Sequence, residues 1–220
     1  MELFVVIAVV AILASFAYPV YTGIQERAKV TKDMNSVRQI GIATQTYMND
    51  NDGVLPGSTT VTWMSQLHPK YVSAWGVFQS PFDRRAPSEL GDATTPVSYG
   101  VNANIYPNNT AMSADKITMP TVFILFAPAQ ALGITVSFQG TAVNPAAPGV
   151  TVLGIGSNQA TSNPGGTATG GTYSSRQRVT ALFADLHCET MPWTTFTNNT
   201  ANPPSDPDGN LRWTPYTPYP

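Results

Sequence analysis

Apolar and polar positions change their spacing twice along this 220-residue chain. From Leu3 to Ala17 no charged residue occurs, and the run continues to Val20. At ~1.5 Å of rise per residue, that is enough helix to cross a hydrocarbon core of ~30 Å. Beyond Pro19 the run becomes amphipathic. Val30, Met34, Val37, Gly41, Thr44 and Met48 recur at spacings of three and four, flanked by Ile40 and Tyr47, as on one face of a helix. One long helix is predicted from Leu3 to about Asn49, with a kink or opened turn at Pro19, where a backbone donor is missing. Asp52-Gly53 and Pro56 end it.

The later chain changes period. Trp63 to Asp83 reads as irregular with aromatic anchors, and VSYGVN as a short extended piece. TVFILFA (121–127), GITVSF (133–138), VTVLGI (150–155) and RVTALFAD (178–185) are β-branched and aromatic runs bounded by Gly, Pro or Asn, hence strands. CETMPW should pair with the last of these across a turn at Asp185-Leu186-His187. The class is α+β: a long N-terminal helix packed on an antiparallel sheet. The boundaries are an anchor at 1–20, its amphipathic continuation at 21–52, a head at 53–193 and a Pro/Thr/Asn-rich extended tail at 194–220. The terminal WTPYTPYP should lie extended against its own head or a neighbour's.

Charge alters this picture little. The net charge is −2 with 11% charged residues, and no basic stripe is available to a phosphate backbone, so no nucleic-acid partner is expected. Thr, Ser, Asn, Gly and Pro dominate 140–180 and the tail, as in an exported, loop-rich protein. Cys188 is the single cysteine, which excludes an internal disulfide. A cleaved signal peptide would need a basic leader and small residues at its end, whereas Tyr18, Pro19, Val20 and Tyr21 follow the run. Arg27, Lys29 and Lys32 alone would place the head in the cytoplasm by the positive-inside rule; a basic leader ahead of Met1 would reverse that.

Candidate chemistry is sparse. His68 stands beside Pro69, and Asp185, His187 and Cys188 form the one cluster with a nucleophile and a base. Neighbours on a strand face opposite ways, so no enzyme is expected. No cofactor or metal site is expected either. Asp206 and Asp208, in SDPDG, come nearest to a calcium loop, and NDNDG at 49–53 is similar, but both fail the loop template at its first and twelfth positions. Asn108 and Asn198 head glycosylation sequons, and O-linked sugars on the Thr/Ser-rich tail are an equal option.

The run MELFVVIAVVAILASFAYPVY, one glutamate at the head of an apolar helix with a proline near its end, resembles the type IV pilin and type II secretion pseudopilin family. MNSVRQIGIATQTYMNDNDGVLP, VFQSPFD, SYGVN and VTALFADLHCE are similar to the globular part of a planctomycete and verrucomicrobial pilin-like group. Ser80 and Leu186 depart from the Cys and Gly common there. The resemblance implies a structural subunit of a helical homopolymer, held in the bacterial inner membrane as a precursor and then in an extracellular filament. Its other partners would be the inner-membrane pilus assembly machinery and a prepilin peptidase.

Within that family the glutamate pairs with the methylated N-terminal amine of a neighbour, so that a carboxylate costly in hydrocarbon gains its counter-charge only on assembly. The resemblance implies that role for Glu2. Leu3, Phe4, Val6, Ile7, Val10, Leu13 and Phe16 would be the inter-subunit contacts, and Pro19 the kink. Because Glu2 lies nearer the start than in the family, a few mature residues and a leader are expected to precede Met1. The alternatives are a pseudopilin of a secretion or DNA-uptake system or, in a different class, a signal-anchored polysaccharide-binding module or hydrolase.

Overall fold

A computed structural model describes residues 2–58, 61–83, 85–92, 94–132, 137–138, 170–198 and 204–216. Helix α1 spans Glu2–Asp50 and is α-helical through Pro19, with no opened turn. It stops where the chain can leave a helix cheaply. Asp52 and Gly53 take positive φ of 52° and 77°, and the amide of Gly53 bonds the carbonyl of Met48 at 2.9 Å. Lys70 Nζ and Tyr71 OH then pin the Asp50 carboxylate at 2.7 and 2.9 Å.

The two halves of α1 differ in what covers them. The first is exposed. The second buries Asp33, Ser36, Val37, Ile40, Gly41, Ala43, Thr44 and Met48, spaced by three and four. Val30 and Met34, expected on that stripe, are only half-buried. The buried face is rotated slightly from them because the sheet, and not the apolar pattern alone, sets which side is covered.

The sheet contains β1 (Pro96–Asn102), β2 (Ile124–Leu132), β3 (Ser137–Phe138), β4 (Arg178–Phe183) and β5 (Cys188–Pro192), in the spatial order β3-β1-β2-β4-β5. The pairs β1/β2, β2/β4 and β4/β5 are antiparallel. The two-residue β3 is parallel to β1, a departure from the wholly antiparallel sheet expected. β3 lies on the far edge of β1, which itself runs against β2. β2 starts later than TVFILFA and passes through Pro128, a residue that cannot donate to a ladder; a register shift against β1 accommodates it. Of the GITVSF strand only Ser137 and Phe138 are described, and VTVLGI lies outside the described residues. β4 and β5 form the expected hairpin, Leu182 opposite Cys188. Its turn is closed by the Leu186 amide on the Phe183 carbonyl at 2.9 Å, with Leu186 at φ 69°.

Both sheet faces are covered. Val97, Tyr99, Val101, Phe126 and Leu182 meet α1 together with Trp63, Trp75 and Phe78. The segment expected to be irregular supplies these aromatics from helix α2 (Trp63–Leu67) and a 3-10 turn at Trp75–Phe78. On the opposite face Val179, Ala181 and Phe183 alternate with them along β4 and pack on Phe196 and Trp213.

That second layer corrects the expected extended tail. Helix α3 (Trp193–Thr197) and the chain around Trp213 fold back onto the sheet, with Trp213 1% exposed and its ring 5.0 Å from Phe196. Asn102 and Asn104 donate to the Trp213 carbonyl at 3.2 and 2.8 Å, and the Ile124 amide bonds the Arg212 carbonyl at 2.9 Å. Composition argues for an extended tail, but two large aromatics and an otherwise bare apolar sheet face outweigh it.

Candidate functional site

The predicted assembly residues lie together on α1. Leu3, Phe4, Val6, Ile7, Val10, Leu13 and Phe16 are all exposed, with Leu3 at 73% and Phe16 at 71%, and exposure continues through Tyr21 and Ile24. No part of the most apolar stretch is covered by the other described residues. It is long and apolar enough to span a membrane or to serve as a signal anchor. Valine, isoleucine, leucine and phenylalanine occupy every side of this rod. It can therefore be immersed in lipid or packed by several neighbours at once, which a one-sided stripe could not. Glu2 is the first residue of α1.

Where the rod meets the head, the Glu26 carboxylate accepts the Ser174 amide at 2.6 Å. The partner loop is tightly wound. Ser174, Ser175 and Arg176 have φ of 53°, 53° and 66°, and a Cβ on Gly171 would fall 2.3 Å from the Arg178 carbonyl oxygen, so only glycine fits there. Between this loop and α1 lies a cleft of about 500 Å³ lined by Glu26, Val30, Tyr173 and Arg178, among others. Arg27, Lys29 and Lys32 remain exposed on the helix.

One polar centre was not anticipated from the sequence. Asp33 is fully buried between α1 and the sheet, where its Oδ1 accepts hydrogen bonds from Ser80 Oγ at 2.5 Å and Tyr99 OH at 2.6 Å. Burial pushes its carboxyl above the ordinary value, against the opposing effect of the hydroxyls of Ser80, Tyr99 and Thr180. Burial also raises the Tyr99 phenol well above its usual range, with the neighbouring Asp33 adding to it. The available signal was positional: Asp33, Val37, Ile40 and Thr44 share one helix face.

Other candidate residues have structural partners. His187 Nδ1 lies 2.5 Å from Asp185 Oδ1 and its ring stacks on Phe183 at 4.3 Å. Cys188 is half-buried, its thiol pushed up by burial and held down in part by Arg38. His68 stacks on Trp75 at 4.5 Å. Asp206, one of the two calcium-loop candidates, instead receives Arg212 at 2.8 and 3.1 Å and the Asn198 side-chain amide at 2.5 Å. Asp208 contributes its carbonyl to the Arg212 amide at 3.1 Å. Among the described residues no three metal-ligating side chains converge. The side chain of Asn198, which heads one sequon, thus donates to Asp206. Asn108 lies on a 3-10 turn, Pro107–Asn109. No family model matches the chain, and neither a curated protein nor a solved structure is found similar to it.

Proposed function

We propose that this chain is a structural subunit of a type IV pilus-like helical filament and catalyses no reaction. The observation that carries this reading is the separation of roles within α1. Residues from Asp33 to Met48 complete the head's core, while Leu3 to Ile24 project uncovered and apolar on all sides. A head that folds without those residues leaves them to lipid before assembly and to neighbouring helices after it. The precursor would reside in the bacterial inner membrane, be processed by a prepilin peptidase and be extracted by the assembly machinery into an extracellular homopolymer. Glu2 would set the register by pairing with a neighbour's terminal amine, a charge pair that forms only on assembly.

Electron microscopy of material sheared from cells expressing the chain tests this reading. Long fibres that react with an antibody to the head are expected. Short fibres confined to the envelope would assign the chain to a pseudopilin, and dispersed detergent-soluble protein would refute polymerisation.

A further inference from the structure

The cleft at the junction of rod and head carries more donors than acceptors. One wall is a face of α1 with Gly23, Glu26, Arg27 and Val30, and the other carries Tyr173 and Arg178. Tyr173 is 5% exposed and its ring stacks on Phe82 at 5.9 Å, yet its buried hydroxyl has no hydrogen-bond partner. An unmet phenol donor costs free energy that an acceptor entering the cleft would restore. Arg178 bonds the Thr190 carbonyl and hydroxyl at 2.8 and 3.4 Å, both through Nη2. Among the described residues no hydrogen bond leaves its Nε or Nη1. Arg27 is exposed on the helix. Glu26 is the one acid among the described lining residues, and its Oε1 accepts the Ser174 amide. Two guanidinium groups and a phenol suit an anion with several acceptor oxygens. At Gly23 an added Cβ would meet nothing within 4 Å, so that end of the wall is open.

The helix face that forms this wall continues below it. Phe16, Val20, Gly23, Arg27 and Val30 follow at spacings of four, three, four and three, so they share one side of α1. Phe16 and Val20 are 71% and 62% exposed. An apolar track thus leads directly into a cationic cleft. With Leu3 to Val20 in the hydrocarbon core, Gly23 stands ~5 Å beyond it, inside an interfacial layer ~5–8 Å thick. Arg27 lies one turn further, and side chains on a helix lean toward its N-terminus, here toward the membrane. A free anion would use the cleft without the track, and a bare acyl chain the track without the cleft. We propose that the cleft binds the headgroup of an anionic phospholipid, whose phosphodiester takes Arg27, Arg178 and the Tyr173 hydroxyl while its acyl chains lie along Val20 and Phe16. Bound lipid then fixes the height at which the head stands on the membrane. The inference rests on the rod's residence in lipid before assembly, and not on polymerisation.

Mixed vesicles of phosphatidylglycerol and phosphatidylcholine test the site with the full chain. Flotation establishes that the chain enters the bilayer, and native mass spectrometry of the released chain then counts which lipid stays bound. Phosphatidylglycerol should be retained in excess, and Arg27→Gln should cut that excess about fivefold. Gly23→Phe, which narrows the cleft at constant charge, should abolish it. Tyr173→Phe should reduce it without lowering the melting temperature, and Lys29→Gln, outside the cleft, should matter less than Arg27→Gln. Equal retention of the two lipids, an unchanged excess in Gly23→Phe, or a loss in Lys29→Gln as large as in Arg27→Gln would leave only diffuse attraction and overturn the proposal. Displacement of the lipid by an equal concentration of glycerophosphoglycerol, the headgroup without chains, would overturn it in favour of a soluble phosphate ligand. A chain that floats but retains neither lipid selectively loses the cleft site and keeps its membrane anchor; a chain that does not float loses both.

Discussion

Gly41 of α1 lies against Leu182 of β4 so closely that a methyl group added at the glycine would stand 3.1 Å from Leu182 Cδ1. The helix axis can approach the sheet there because the side chain is missing. Gly41→Ala should change stability little, since a helix-propensity gain of up to ~1 kcal/mol opposes mild crowding by a movable leucine. Gly41→Leu should wedge the helix away and cost about 1–3 kcal/mol. Thermal melting of the two variants checks the difference.

Val37 and Met34 separate the buried stripe from its edge. Val37 is 1% exposed, whereas Met34 is half-buried. Val37→Asp should unfold the head by burying an unpaired carboxylate. Met34→Asp, whose charge can reach water, should lower the melting temperature without abolishing the transition. Circular dichroism at increasing temperature distinguishes them.

Deleting Leu3 to Pro19 should leave a soluble, monomeric head that melts as in the full chain, because the removed side chains contribute nothing to its core. Sedimentation and melting measure both properties. Long fibres from the truncated chain would contradict the proposed role of the rod.

Glu2→Ala should sharply reduce fibre yield while leaving the membrane-bound subunit and the melting of its head unchanged. Counting fibres by microscopy alongside a melting curve separates assembly from folding. Normal yield would remove Glu2 from the assembly mechanism.

Trp213 and Asp206 report on the returning tail. Trp213→Ala should cost about 3–5 kcal/mol, as expected for an aromatic removed from a closed core. Asp206 behaves oppositely to Asp33: bonding to Arg212 lowers its carboxyl pKa. The resulting stability is present above the ordinary carboxylate value and is lost as pH falls through the lowered one. Asp206→Asn should therefore flatten the acid limb of melting temperature against pH.

Elements whose residues all lie close in the chain were legible in advance. The apolar run and the three-four spacing that follows it define α1 and its stop at Asp52-Gly53, and alternation with a short turn defines the β4–β5 hairpin, because helix and hairpin bonds join near neighbours. What Ser80 and Leu186 do was not legible: Ser80 bonds a carboxylate on α1, and Leu186 takes the left-handed conformation itself.

What the tertiary structure alone decided depends on contacts between distant segments. Phe196 and Trp213 read as part of a polar, proline-rich tail until an apolar sheet face is placed beneath them. Asp33 reads as an ordinary helix charge until Ser80, Tyr99 and Thr180 close over it. Burial is the physical reason. The energy of a carboxyl group or an indole depends on what surrounds it, and those surroundings are assembled from residues 47 to 111 positions away, as in the bonds from Ser80 to Asp33 and from Asn102 to Trp213.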